Sequence, residues 1–263
     1  MSVAHHEIME SKYGGFPREN WVNGFLEAER LLECAWADRY SLLNELAWEQ
    51  YPYNGTTIAW PYAATIQGEG VLDSTTPIAS YRYAWCRIKY TNKIVYNETA
   101  QRFVSEELHP LSMHLPLDYA GFRWGAKTGA SSIPVQPCEA PSFIVRSSQY
   151  TITYYRVLSV PAYADDYANC TNNGAVASYT LGRSYAAGRL LFGGTTARAD
   201  TALGSTLKLQ VSYRFLIHPS NWNKFWRAST ASWETLYHAG IDGTGEYTPH
   251  TAVNFASLVP ALA

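Results

Sequence analysis

The clearest pattern in the chain is an alternation of apolar and polar residues in its C-terminal third. From Leu207 to Ile217 every odd position is apolar, and the positions between are polar except for Leu216. A period of two residues is typical of a strand with one face in the core. An earlier apolar run, Leu190–Phe192, is joined to it by the loop 195–205. The sequence therefore predicts a long antiparallel hairpin with strands at about 183–193 and 206–218.

Further segments have strand character: Glu27–Trp36, about Trp60–Ile66, Ala79–Tyr90 and Tyr150–Val160, with another strand or two between Lys93 and Trp124. A helix is the competing interpretation of Glu27–Trp36, because Glu, Ala, Leu and Arg are good helix formers. In Ala79–Tyr90 the aromatic residues occupy one face and small apolar residues the other. This distribution predicts a strand covered on both sides.

Helical patterns are rare. One helix is predicted from Arg39 to about Trp48, with Asp38 as its N-cap residue. Ser232–His238 is interpreted as a second, short helical segment. Because strand patterns predominate, the predicted fold class is mainly β. We expect an antiparallel β-sandwich or barrel-like domain with a long hairpin and one short helix.

The first 24 residues differ in character from the rest of the chain. They are polar, aromatic and glycine-bearing, which indicates an extended N-terminal arm, whereas residues 25–263 form a single mainly β domain with loop insertions. At roughly 3.3 Å per residue such an arm could cross a neighbouring subunit. Its aromatic residues, Tyr13, Phe16 and Trp21, would be buried there. Deleting residues 1–20 is therefore predicted to leave a folded domain with impaired assembly.

Composition narrows the range of functions. Charged residues make up 16% of the chain, aromatic residues 14%, and the net charge is −2. This balance provides no basic field for wrapping nucleic acid. The 20 Tyr and 9 Trp indicate surfaces that become covered, because these residues favour interfaces. No apolar run approaches the roughly 20 residues of a membrane helix, so no membrane association is predicted.

The residues that usually carry catalysis or bind metals do not form a recognisable set. The four cysteines are widely spaced without a CxxC pair, which favours buried free thiols at Cys34 and Cys86 over a zinc site. There is no Gly-x-Ser-x-Gly elbow. Glu106 and Glu107 are adjacent and would face opposite ways on a strand, so they are interpreted as solvated charges. His218 is expected to pair with a backbone carbonyl. We predict no catalytic residue, cofactor or metal, and no enzyme activity.

The densest aromatic cluster spans residues 221–227. Trp222 and Trp226 are four positions apart, so on a helical turn they would share one face. They follow the long predicted strand, where the chain leaves the sheet, and we predict that at least one of them contacts another subunit. The alternatives are that these aromatic residues fill the core or that they form platforms for sugar rings.

Several segments resemble structural proteins of tailed bacteriophages and prophages. The resemblance covers most of the chain from about residue 25, and its segments are Trp36–Arg39, Ser105–Leu108, Phe122–Gly125, Ala186–Gly194, Val211–Phe215 and Trp222–Phe225.

The resemblance implies a tail or neck component with a tube-like β fold that assembles into a homo-oligomeric ring. Its partners would be copies of itself and neighbouring virion proteins, with DNA only as passing cargo. Assembly would take place in the cytoplasm of the host bacterium. The alternative function is that of a carbohydrate-binding β-sandwich, such as a receptor-binding module, and a hydrolase with an unrecognised motif is the third.

Overall fold

We analysed a computed structural model of the protein, which describes residues 3–9, 15–73, 80–98, 102–116, 120–136, 142–157, 159–160, 162–199 and 209–255. The chain is 52% strand and 7% helix, which confirms the predicted mainly β class. The α-helix α1 (Arg39–Leu46) follows a 3₁₀ turn at Trp36–Asp38, and a second 3₁₀ segment spans Ala162–Tyr167. Asp38 occupies the N-cap position of α1, but its side chain makes no capping hydrogen bond.

The strands of the described residues range from 2 to 16 residues in length. In the first part these are β1 (His5–Glu7), β2 (Arg18–Val22), β3 (Phe25–Ala35), β4 (Trp60–Asp73), β5 (Ser80–Thr91), β6 (Val95–Asn97) and β7 (Arg102–Pro116). The middle part holds β8 (Phe122–Trp124), β9 (Ile133–Pro134), β10 (Ser142–Val157), β11 (Thr171–Asn172), β12 (Val176–Ala177) and β13 (Ser184–Tyr185). The last part holds β14 (Leu190–Ala199), β15 (Leu209–Ile217), β16 (Phe225–Arg227), β17 (Ser232–Glu234), β18 (Leu236–His238) and β19 (Ala252–Val253).

Two larger sheets and three small ones result. The five-stranded sheet has the order β1-β3-β5-β4, with β2 also paired to β3. The seven-stranded sheet has the order β19-β11-β14-β15-β10-β7-β6. The predicted pairing is confirmed, because β14 and β15 are neighbours in this sheet. The predicted bounds of the first strand are wrong: it is Leu190–Ala199 and not about 183–193, and Ser184–Tyr185 forms β13, which pairs with β12. Ser232–His238 forms strands, not the helical piece that the sequence suggested, and β16 pairs antiparallel with β17.

The chain divides into two compact units. The first unit contains Met1–Ser105, Tyr154–Val160 and Ala197–Val211, and the second contains Glu106–Thr153, Pro161–Thr196 and Ser212–Ala263.

The core of the first unit lies between the five-stranded sheet and α1. The inward faces of β3 and β5 contribute small apolar residues that include Cys34 and Cys86, and α1 contributes three leucines. Both thiols are free, and burial raises the pKa of Cys86 to about 12. The opposite face of β5 is only partly covered, since Tyr83 remains 42% exposed.

The predicted N-terminal arm is folded onto the first unit wherever the structure describes it. β1 pairs antiparallel with β3, and β2 forms a hairpin with the beginning of β3. The turn of that hairpin is Asn23-Gly24, with φ values of 52° and 81°. Both residues of a type I′ turn need a positive φ, which Asn and Gly tolerate best. Tyr13 lies outside the described residues.

A buried ion pair attaches the N-terminus to the sheet. The guanidinium of Arg30 is 8% exposed and donates to both carboxylate oxygens of Glu7, at 3.1 and 3.0 Å. It also donates to the hydroxyl of Tyr90 at 3.1 Å, and the hydroxyl of Tyr53 donates to Glu7. The N-terminal segment therefore neutralises a charge inside the first unit, which an arm reserved for a neighbouring subunit could not do.

Candidate functional site

Four aromatic rings in the second unit form a continuous chain from the surface to the core. We call Trp226, Trp233, His218 and Trp222 the aromatic chain. Trp226 and Trp233 are cross-strand partners in the β16–β17 hairpin, with ring centroids 5.4 Å apart. Trp233 meets His218 edge-on at 4.4 Å, and His218 lies 5.3 Å from Trp222. An exposed ring held in this way loses little further side-chain entropy on binding.

The two tryptophans of the predicted cluster have opposite environments. Trp222 is fully buried, and its Nε1 donates to the carbonyl oxygens of Arg189 and Leu216, each at 3.1 Å. Trp226 is 41% exposed. They do not share a helical face, because Trp222 lies in a turn whereas Trp226 follows the buried Phe225 on a strand, where successive side chains alternate. The buried Trp222 side chain is not accessible to another subunit. The predicted interface role therefore applies to Trp226.

The predicted interface residues of the N-terminal arm also differ in their exposure to solvent. Phe16 is 3% exposed and packs with Ile8 and Leu31, so it belongs to the core of the first unit. Trp21 is 55% exposed on β2. Trp21 is therefore the arm residue that keeps a surface for a partner.

Polar side chains of the β16–β17 hairpin form a hydrogen-bonded group of their own. The carboxylate of Glu234 accepts hydrogen bonds from the hydroxyls of Thr230 and Ser232 and forms an ion pair with Arg227 at 3.2 Å. These hydroxyl bonds and the Arg227 charge outweigh partial burial and lower the pKa of Glu234. Because side chains alternate along a strand, Arg227, Ser232 and Glu234 lie on the opposite face of the hairpin from the Trp226 ring.

His218 is the buried polar member of the aromatic chain. Its Nδ1 accepts a hydrogen bond from the backbone N–H of Ser220 at 3.0 Å, so the predicted carbonyl partner is wrong. The proton of the neutral ring must then be on Nε2, which has no hydrogen-bond partner among the described residues. Burial, assisted by the positive charge of Arg189, lowers the pKa of His218 to about 4.

Stability is expected to depend on the protonation of His218. Because its pKa is about 4 when folded and 6.5 when not, the unfolded chain takes up the proton first as the pH falls. The contribution of neutral His218 is complete above pH 6.5 and is lost between pH 6.5 and 4, amounting to about 3 kcal/mol. Urea unfolding at several pH values measures this loss.

The His218→Asn variant is the test, because the amide oxygen of Asn can still accept from Ser220. It should show a smaller loss of stability across that pH range than the wild type. The surface variant His6→Asn serves as the control and should keep the wild-type slope. Equal slopes for wild type and His218→Asn would contradict the assignment.

Sequence reasoning missed Glu106, which it interpreted as a solvated charge. Glu106 is only 9% exposed, whereas Glu107 is exposed. The Glu106 carboxylate accepts hydrogen bonds from the Tyr150 hydroxyl, from the backbone N–H of Tyr179 at 2.8 Å, and from both the backbone and the hydroxyl of Thr180. No signal near Glu106 in the sequence indicates these partners, since two of them lie more than seventy positions away.

Searches for metal-binding clusters and membrane spans give two negative results for the part of the chain that the structure describes. In these residues, no three His, Cys, Asp or Glu side chains converge as metal ligands would. No helix there has both the length and the apolar character needed to cross a membrane.

Comparison with known proteins places the chain in no family. No protein-family model, curated protein or solved structure matches it. The candidate site is therefore defined by its own geometry, an exposed tryptophan ring packed against Trp233. This arrangement suits contact with a partner surface or with a sugar ring.

Proposed function

We propose that the protein is a structural component of a tailed-bacteriophage virion, a tail or neck subunit that assembles with copies of itself into a ring. It acts by assembly and not by catalysis. Its other partners are neighbouring virion proteins, DNA is only passing cargo, and assembly takes place in the cytoplasm of the host bacterium. The sequence resemblance motivates the virion role, and long hairpins with few charges are compatible with it.

The observation that carries the assembly proposal is the partial exposure of Trp226 at the end of an aromatic chain in which Trp233 is half-buried and His218 and Trp222 are buried. Tryptophan is enriched among interface residues that dominate binding energy, particularly where its neighbours hold it in place. Trp21 offers a second exposed ring on the first unit. Both residues are candidates for contacts between subunits.

Replacing Trp226 with alanine is expected to weaken self-association by roughly 2 kcal/mol or more while leaving the melting temperature nearly unchanged. The reason is that the ring is partly solvated in the subunit and would be covered only by a partner. Light scattering coupled to size-exclusion chromatography gives the oligomer size, and negative-stain images show whether rings form.

Ile58→Ala is the matched control, since Ile58 is 60% exposed without belonging to the aromatic chain. It should assemble as the wild type does. A wild-type protein that stays monomeric at high concentration would count against the assembly proposal, as would a Trp226→Ala variant with unchanged assembly.

A carbohydrate-binding role is the second candidate. An exposed tryptophan ring such as that of Trp226 offers a platform on which a sugar ring can stack. A glycan array distinguishes the two candidates: specific glycan binding that is lost in Trp226→Ala, by a protein that does not self-associate, would favour the carbohydrate role.

A further inference from the structure

A groove of about 380 Å³ opens on the second unit close to the aromatic chain. Its lining includes Ile217 and Pro219, which flank His218, together with Arg183, Tyr185 and Arg189. Ser148 and Ser184 add two hydroxyl-bearing side chains. Binding sites for small molecules typically have volumes of roughly 300–1,000 Å³, so the groove is large enough for a molecule the size of a monosaccharide.

The groove has an unbalanced positive charge. Two arginines line it and no acidic residue does. The Arg189 Nε donates to the carbonyl oxygen of His218 at 3.0 Å, and neither guanidinium has a carboxylate partner among the residues described. The buried carboxylate of Glu106 already accepts from Tyr150, Tyr179 and Thr180, so its oxygens are engaged. In a chain with a net charge of −2, two unpaired arginines in one groove favour an anionic ligand.

The loop that carries Arg183 is held in place from both ends. The backbone N–H of Ser178 donates to the Arg183 carbonyl at 2.8 Å, and the Arg183 N–H donates to the Ser178 hydroxyl at 2.8 Å. Between them, Tyr179 and Thr180 donate to the Glu106 carboxylate. The backbone position of Arg183 is therefore set before any ligand arrives, which reduces the entropic cost of binding.

Tyr185 supplies a hydrogen-bond donor that the folded chain does not use. The side chain is 3% exposed, and its hydroxyl has no partner among the described residues. Burial raises the pKa of Tyr185, so the hydroxyl keeps its proton. A buried donor without an acceptor costs free energy, and an oxyanion in the adjacent groove would provide the acceptor after a small local rearrangement.

We infer that this groove binds an oxyanion group, carboxylate or phosphate, carried by a small polar molecule the size of a sugar. Arg183 and Arg189 would pair with the oxyanion, Tyr185 would donate to it, and the serine hydroxyls would contact the remainder of the ligand. This inference does not depend on the assembly proposal, because neither Trp226 nor Trp21 is among the groove-lining residues.

The test is a titration of the full-length protein at low salt. Binding is measured by calorimetry and by two-dimensional NMR. The probes are glucuronate and glucose 6-phosphate, with glucose as the neutral control of the same size. We expect saturable binding of at least one acidic sugar, weakening as salt is added, and no binding of glucose at the same concentrations. The tighter of the two acidic ligands identifies the preferred oxyanion.

Three variants locate the site. Arg183→Gln removes an exposed guanidinium that makes no hydrogen bond or ion pair with the described residues. It should weaken binding about tenfold, as expected for a charge-assisted bond. Arg82→Gln makes the same charge change at an exposed arginine that does not line the groove and should have little effect. Tyr185→Phe should weaken binding roughly fivefold without lowering the melting temperature, because it removes a hydroxyl that is unpaired in the free protein.

Several outcomes would overturn the inference. These are the absence of saturable binding of both acidic sugars, equal binding of glucose, or equal affinities for Arg183→Gln and Arg82→Gln. A loss of thermal stability in Tyr185→Phe would show that the hydroxyl already has a structural partner.

Discussion

Replacing Trp222 with alanine is expected to lower the free energy of unfolding by about 3–5 kcal/mol, the usual cost of truncating a fully buried aromatic side chain. The ring packs with Trp124, Leu191 and Phe225 in the core of the second unit. The substitution also removes the indole N–H that two carbonyl oxygens share. Urea or thermal unfolding measures the loss, which is large compared with typical domain stabilities of about 5–15 kcal/mol.

Trp226→Ala is the matched control, because it truncates another tryptophan side chain only four positions away in the sequence. Its effect on unfolding should be much smaller, since Trp226 is 41% exposed. Equal destabilisation by the two substitutions would contradict the placement of these residues. A Trp222→Ala protein with normal stability would show that this part of the second unit packs differently.

Replacing Glu7 with alanine is expected to destabilise the first unit by about 3–5 kcal/mol, because it leaves the Arg30 guanidinium buried and without its carboxylate. Both partners are well shielded, with side-chain exposures of 13% and 8%. Chemical unfolding, monitored by circular dichroism, measures the change. Deleting residues 1–9 should cost at least as much, which reverses the expectation that residues 1–20 can be removed from a folded domain.

Glu27→Ala provides the control for charge removal. Glu27 pairs with Lys93 at 3.7 Å on the surface, where both side chains are 40% exposed, and such pairs contribute about 0–1 kcal/mol. A double variant, Glu7→Leu with Arg30→Met, should recover much of the lost stability, since apolar residues can replace a buried ion pair. If Glu7→Ala costs no more than Glu27→Ala, the ion pair does not hold the N-terminus.

Structural elements were predicted best where the sequence pattern that indicates them is local. The alternation that ends at Ile217 predicted β15, and the loop before it predicted the hairpin with β14. The Asn23-Gly24 turn was an equally local signal, and it indicates a hairpin between β2 and β3. Because the sequence interpretation treated residues 1–24 as a separate arm, it did not use that signal.

The environments of other side chains depend on contacts between distant parts of the chain. The carboxylate of Glu106 accepts hydrogen bonds from donors at positions 179 and 180, and that of Glu7 accepts from Arg30 and Tyr53. These distant partners allow both side chains to be shielded from water. Burial of a charged side chain depends on whether partners arrive to replace its hydration. Neither adjacency in sequence nor residue type reveals those partners.

The sequence by itself determined the mainly β class, the long strands and the helix α1, because side-chain periodicity reflects the local backbone repeat and which face is buried. Tertiary structure alone decided that Trp222 is buried and Trp226 exposed, that Phe16 belongs to a core, and that Arg183 and Arg189 line one groove. These properties depend on which surfaces meet when strands far apart in the chain pair, and no short window of sequence contains that information.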